Sequence, residues 1–335
     1  MSQPPPTIGP GVHPDIQACV ARLRAGGLVA FPTETVYGLG ADALNERAVR
    51  RVFELKGRPA NNPLIVHVSG AAMAREVVRE WPTGAQRLAE AFWPGPLSIV
   101  LARAPQVPTI VTGGGETVAV RCPDHPLTLD LLRAFGGPLV GPSANLSGRV
   151  SPTTAAHVRE AFAGEDVLVL DGGECRVGIE STVLSLVDGG ARVLRPGVIG
   201  AEAIARVLGA GVTYEEPGAG AGPLASPGLL ASHYAPACRA VLTDAGGIAR
   251  LVHEAPGRIV ALAVSEMRLP QPHEVIPMPE DPEDYAHAMY TALRMADTAR
   301  TGLIAIETPP EGETEEERAI WRAVRDRLTR AAGAR

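Results

Sequence analysis

The stretch Glu46–Val68 reads ERAVRRVFELKGRPANNPLIVHV. Asn45 stands before it as a helix cap, and Val49, Val52, Phe53 and the stem of Lys56 recur at helical spacing. Gly57 ends the helix. Two cations (Lys56 and Arg58), two amides and two prolines fall within the eight residues 56–63, and PLIVHV (63–68) is a short apolar run that predicts a buried strand. A helix feeding a buried strand through a brief loop is the unit of an α/β fold.

The same alternation extends in both directions. Asp15 caps a helix running to about Arg24, stopped by Gly26-Gly27, and LVAFP (28–32) predicts a strand. Helical stretches lie near 70–80 and 84–92, and strands at LSIVLAR (97–103), TVAVRC (117–122) and PLVG (138–141). A helix near 153–163 precedes the strand VLVLD (167–171). STVLSLV (181–187) and ARVLR (191–195) form a hairpin around Asp188-Gly189-Gly190, and a helix at 201–208 closes the block. Residues 14–210 are thus one α/β domain with a mostly buried, mixed, open sheet. Residues 211–237 are Gly/Pro/Ala-rich without periodicity and read as a linker or lid. Residues 238–335 read strand, helix, strand, helix, strand, helix, which predicts a small Rossmann-like parallel sheet without the GxGxxG of a dinucleotide site. Residues 1–13 read as a loose Pro-rich arm.

Composition narrows the function. The 335 residues carry 31 Lys+Arg against 37 Asp+Glu, a formal net charge of −6, which argues against a coat for nucleic acid. The cysteines Cys19, Cys122, Cys175 and Cys238 make no CxxC pair, so a reducing, cytoplasmic setting is expected rather than a disulfide framework or zinc site. No apolar run approaches the ~20 residues of a membrane helix, and the N-terminus lacks the pattern of a signal peptide. Thirty of the 31 basic residues are Arg; the single lysine is Lys56. A lysine kept where arginine is the rule either survives by chance or marks a place needing a compact point charge, and its neighbours decide between the two.

Four polar clusters fall at element ends. PTETVYGLG (32–40) puts Thr33, Glu34 and Thr35 at a strand exit. In KGRPANNPLIVH (56–67), Lys56, Arg58, Asn61 and Asn62 make a rigid anion-binding loop, which also suits a helix C-terminus, and His67 follows on the strand. TVAVRC ends its strand on Arg121, a cation within apolar sequence that needs an anionic partner or water. GPSANLSGRVSPTTA (141–155) brings Ser143, Asn145, Ser147 and Ser151 after a buried strand, with Ser151-Pro-Thr153 as a helix start that suits phosphate. Glu180-Ser181-Thr182 opens one strand, and Arg195 ends the next. There is no Walker motif, no Ser/His/Asp spacing and no metal-ligand spacing. A cationic, hydroxyl-rich cleft suits phosphate chemistry done by positioning and charge neutralisation.

At these residues the sequence resembles a known family. PTETVYGLG, KGRPANNPLIVHV, WPGPLS (93–98), VAVRCPDHP and GPSANLSG look like the YrdC-type domain, an open twisted mixed α/β sheet around a concave basic cleft. The linker motif SPG…HYAP and the C-terminal domain look like the long, two-domain form of the L-threonylcarbamoyladenylate synthases. The resemblance implies a nucleotidyltransferase reaction: L-threonine, bicarbonate or CO2, and ATP give threonylcarbamoyl-AMP and pyrophosphate. The product would pass to the tRNA threonylcarbamoyl-transferase machinery for modification of adenosine 37, with no membrane and no obligatory direct contact with tRNA. It further implies Lys56, Arg58, Ser143 and Asn145 as catalytic residues. Arg58, Asn62, Thr117, Ser143, Ser151, Arg195 and Tyr234 would contact ATP. Thr35, His67, Arg121, Gly141 (through its backbone) and Ser181 would hold L-threonine. Mg2+ would ride on the ATP phosphates rather than sit in a protein cage. One departure concerns Leu229-Leu230-Ala231-Ser232, where the family carries basic and aromatic residues. The linker and C-terminal domain are expected to gate the cleft. Two rivals are an RNA-binding module, disfavoured by the acidic balance, and a hydrogenase-maturation carbamoyltransferase, which would need acylphosphatase and Cys-rich modules.

Overall fold

The computed structural model describes residues 14–215, 234–254 and 257–333; the expected arm (1–13) and the segment Leu229–Ser232 lie outside the described residues. In chain order the first block runs α1 (Pro14–Arg24), β1 (Leu28–Phe31), β2 (Gly38–Asp42), α2 (Glu46–Lys56), β3 (Ile65–His67), α3 (Ala71–Val77), α4 (Thr83–Phe92), β4 (Leu97–Ala102), β5 (Thr117–Arg121), α5 (Pro126–Phe135), β6 (Leu139–Val140), α6 (Ala155–Ala161), β7 (Val167–Val169), β8 (Thr182–Ser185), β9 (Ala191–Arg195), α7 (Ala201–Leu208) and β10 (Val212–Tyr214). The second block is β11 (Ala240–Thr243), α8 (Ala245–Glu254), β12 (Ile259–Ala263), β13 (Glu274–Pro277), α9 (Pro282–Ala296), β14 (Leu303–Glu307) and α10 (Glu315–Ala332).

Local chemistry sets these boundaries. Asn45 accepts the Ala48 N–H at 3.2 Å and starts α2, while Gly57, at φ 59°, closes it by returning its N–H to Glu54 and Phe53. That closure turns Lys56 and Arg58 back toward the sheet. Strands β1 to β10 form one open mixed sheet in the order β10-β9-β8-β4-β5-β3-β6-β2-β1-β7. β3 and β5 pair in parallel with His67 opposite Arg121, so the two polar ends lie side by side. The second sheet is wholly parallel, in the order β11-β14-β12-β13.

The structure differs from the sequence expectations at four elements. β2 is a strand, antiparallel to β1, in a stretch where no strand was expected. Its glycines hide it: a Cβ at Gly38 or Gly40 would come within 2.9 Å of the Phe31 ring, so β2 has traded its side-chain pattern for close packing. α5 begins at Pro126, an N-terminal proline suited to a first helical turn, yet its apolar run blends with the strands around it. β13 was unread. The fourth corrects the linker: Val212–Tyr214 pairs in parallel with β9, so the first sheet runs past residue 210. At the far end of the linker, Ala235 bridges Arg149 and its N–H reaches the Gly148 carbonyl at 2.8 Å.

Apolar packing also joins the two blocks. Val36, Val150 and Ile179 from the first block bury with Tyr234, Tyr285, Met289, Tyr290, Ile320, Trp321 and Leu328 in one cluster. No described helix is long and apolar enough to cross a membrane.

Candidate active site

A cavity opens where β3, β5, β6 and β9 end, lined by Val36, Arg58, Ile65, His67, Arg121, Gly141, Pro142, Ser143, Glu180, Arg195 and Tyr234. Three guanidinium groups and one carboxylate thus share its wall.

The four residues assigned to catalysis divide into two layers. Arg58 and Ser143 line the cavity. Arg58 is braced from behind: its Nε donates to the Asn62 carbonyl at 3.0 Å, and its Nη2 to Asn62 Oδ1 at 2.6 Å and the Pro63 carbonyl at 2.7 Å. Nη1 makes no hydrogen bond among the described residues and is left for a ligand. Burial pushes this guanidinium down, with Tyr234 opposing and Arg195 adding, to about 9, which leaves it charged at neutral pH. Lys56 and Asn145 stand behind. The buried Lys56 Nζ donates to the Ser143 carbonyl at 2.6 Å, to the Asn145 carbonyl, and to Asn145 Oδ1 at 3.4 Å. Asn145 Nδ2 in turn holds the Arg149 carbonyl at 2.6 Å. The compact point charge that the lone lysine suggested is directed into the protein: an ammonium has three hydrogens, and here all three point at the 143–145 loop. Burial first, and Arg58 second, lower its pKa well below the usual lysine range.

Beside this layer lies the His67–Arg121 end. Gly141 sits against the imidazole, and a Cβ there would approach His67 Nδ1 to 2.6 Å and Phe31 Cζ to 2.7 Å, so only glycine fits. His67 Nδ1 is buried without a protein partner. Burial, reinforced by the Arg121 charge and opposed by a bond at Ile65, pushes its pKa down to about 3, so the ring is neutral. Arg121 Nη2 lies 2.7 Å from Glu34 Oε2, both side chains being buried. The contact is off the line of a hydrogen bond, so Nη2 keeps its donors, and Glu34 Oε1 also lacks a partner. A buried arginine with directed donors to spare is ready for a carboxylate. Thr35 and Ser181 are buried one step back. Thr33 Oγ1 donates to the Val36 carbonyl at 2.6 Å, so Thr35 supplies the hydrogen of the 2.8 Å contact between the two hydroxyls. Ser181 Oγ lies 2.9 Å from Ser98 Oγ and accepts from Arg195 Nη2 at 3.2 Å.

The third side carries Arg195, Glu180 and Tyr234. Arg195 donates Nε and Nη2 to the Ser181 carbonyl at 3.1 and 3.0 Å. Tyr234 is buried at φ 63°, a left-handed backbone rare for an aromatic residue, and its ring packs 5.8 Å from that of Tyr290. Ser151 is buried behind Glu180, and Asn62 behind Arg58 with an unpartnered Nδ2. Thr117 begins β5 whereas Arg121 ends it, about 13 Å away at strand rise, so it lies at the other end of that strand from Arg121.

Sequence reasoning left Glu34 and Glu180 out of the site, along with Tyr290 and Arg327 that support it. One signal was available. Ile320, Val324, Leu328 and Ala331 mark the buried face of α10, and Arg327 falls on that face. A cation there needs a buried partner.

Fold and cavity together define a class: an α/β domain whose strand ends gather three guanidinium groups and one carboxylate around one cavity. Residues 21–197 match the family described as Telomere recombination (Sua5_yciO_yrdC), and residues 199–333 the family described as Threonylcarbamoyl-AMP synthase, C-terminal domain. The chain is 40% identical over 329 residues to the threonylcarbamoyl-AMP synthase of Pyrococcus abyssi, covering 96% of this chain and 94% of the relative. It is 38% identical over 339 residues to that of Bacillus subtilis, with the same coverage of 96% and 94%. The crystal structure of P. abyssi Sua5 complexed with L-threonine superposes with a TM-score of 0.86 at 38% identity, over 96% of this chain and 94% of that one. The chain belongs to the threonylcarbamoyl-AMP synthase family.

Proposed function

We propose that this chain makes threonylcarbamoyl-AMP from L-threonine, bicarbonate or CO2, and ATP, releasing pyrophosphate. The observation that carries the reading is the juxtaposition in one cavity of a carboxylate-ready end and a phosphate-ready end. At the first, Arg121 and the neutral His67 have unpartnered polar atoms. At the second stand Arg58 and the Ser143 hydroxyl, with Arg195 and Tyr234 nearby. The close relative from P. abyssi, solved with L-threonine, supports threonine as substrate.

Held by its carboxylate at Arg121, threonine would present its amine to CO2. The nitrogen lone pair forms the N–C bond and the ammonium proton leaves to solvent, giving a carbamate. A carbamate oxygen then attacks the α-phosphorus of ATP, and the bond to the bridging oxygen breaks toward pyrophosphate. Anion meets anion in this step, so the fixed cations lower its barrier. Arg58, braced by Asn62, would neutralise the α-phosphate, with Ser143 donating to it. Lys56 and Asn145 would act by holding the 143–145 loop in register. Mg2+ would arrive on the phosphates. The cavity wall offers one carboxylate and one serine hydroxyl, a donor set that fits an ion already coordinated by phosphate and water. The product would feed threonylcarbamoyl transfer to tRNA by a partner enzyme. We propose the cytoplasm as its compartment, in keeping with four free cysteines.

The test is pyrophosphate release from ATP with threonine and bicarbonate omitted in turn. Release is expected only with both present; release indifferent to threonine overturns the reading.

A further inference from the structure

The wall of the cavity contains a carboxylate whose partners come from the other sheet's helices. Glu180 Oε2 accepts from Tyr290 of α9 at 2.9 Å and from Arg327 Nε of α10 at 3.2 Å. Arg327 Nη2 also reaches the Glu180 carbonyl at 3.3 Å, its Nη1 reaches the Pro196 carbonyl, and its guanidinium carbon stands 5.8 Å from the centre of the Tyr234 ring. Arg327 is wholly buried. The other Glu180 oxygen, Oε1, accepts from Ser151 Oγ at 2.6 Å. A serine hydroxyl has one hydrogen, and this one is committed to Glu180. Ser151 therefore has no hydrogen left for a phosphate oxygen, and the Glu180 carboxylate it steadies on the cavity wall can accept from a hydroxyl or an amino group but cannot donate to a phosphate.

We propose that Arg327 and Tyr290 are positioning residues for the nucleoside part of ATP, acting through Glu180. They hold the Glu180 carboxylate in place. With Ser151 bonded behind it, Glu180 presents an acceptor edge on the cavity wall beside Tyr234 and Arg195. The phosphates belong at the Arg58–Ser143 donors, since the Glu180 carboxylate on the same wall would repel them. The C-terminal domain is on this account part of the nucleotide site, and not of the threonine site. The inference rests on the functional reading only in taking ATP as the ligand.

The test measures ATP and L-threonine affinities by calorimetry on the full chain, with melting temperature recorded alongside. Arg327→Met removes the charge but keeps bulk, and should weaken ATP about tenfold while leaving threonine within about twofold. It also strands a buried carboxylate, so it should lower the melting temperature. Glu180→Gln combined with Arg327→Met removes both charges; it should recover the melting temperature but not the ATP affinity. Tyr290→Phe, which deletes one hydroxyl, keeps the test alive should Arg327→Met not fold, and should weaken ATP selectively. Unchanged ATP affinity in these variants overturns the proposal. So does ATP affinity that returns with the melting temperature in the double variant, or a parallel loss of ATP and threonine binding. A wild-type chain that binds ATP yet releases no pyrophosphate overturns the functional reading alone, because the affinities decide this proposal without turnover.

Discussion

His67 shows how far a single side chain is set by its surroundings. The folded ring resists protonation until about pH 3, whereas the free imidazole titrates at 6.5. The unfolded chain therefore binds the extra proton between those values, and this group's contribution to stability is complete above 6.5 and is lost as pH falls toward 3. Between about pH 6.5 and about pH 5 the loss should approach ~2 kcal/mol, read from urea unfolding and flattened in His67→Gln. A slope unchanged in that variant would contradict the assignment. Threonine affinity should not follow the titration of His67 between pH 7 and pH 8, about four units above its pKa. Gly141→Ala forces a methyl group into the 2.6 Å gap to the same ring. Overpacking of this kind costs about 1–3 kcal/mol, so threonine affinity should drop with a smaller effect on ATP, by calorimetry. Lys56 illustrates the limit of reading one residue. Its singular identity was visible in the sequence, but whether its ammonium faced a ligand or three loop oxygens depended on a loop about 90 residues away.

At the scale of elements, α2 and the loop after it were legible because their signals are local. The Asn45 cap, the apolar spacing and Gly57 all lie within one short stretch. Asn45→Ala should cost about 1 kcal/mol in thermal or urea unfolding and leave ATP affinity unaltered, since the cap sits at the end of α2 opposite Lys56. A tenfold loss of ATP affinity would show that the cap also governs the loop. β2 was not legible. Its glycines remove the alternation by which strands are recognised, and they are required only because Phe31 of the neighbouring strand lies across them. α5 failed for a related reason: when both helix and strand are buried, an apolar run does not distinguish them.

The two sheets share one apolar cluster and the buried Glu180–Arg327 pair, so the whole molecule should unfold as a unit. Calorimetry should record a single transition; two well-separated transitions would contradict this coupling. The pair also has a pH signature. Burial alone would raise the Glu180 pKa, but Arg327, Arg195 and the Ser151 hydrogen bond outweigh it and leave the carboxyl below its ordinary value of 4.5. A depressed carboxyl stabilises the fold above its unfolded value, and that support is lost as pH falls through the folded one. Acid should therefore lower the melting temperature below pH 4.5, and the Glu180→Gln/Arg327→Met variant should show less of this loss.

The α/β alternation, the parallel character of the second sheet, and the strand ends and loops that carry Arg58, His67, Arg121, Ser143 and Arg195 were legible in the chain read alone. Caps, glycine stops and apolar periodicity act over a few residues, and one reading of the chain captures them. Only the tertiary structure decided that Lys56 braces a loop. It alone joined Glu180 to Arg327, 147 positions along the chain. Those outcomes depend on which buried polar atoms meet when distant segments pack, and a buried charge accepts whichever partner the fold brings within reach.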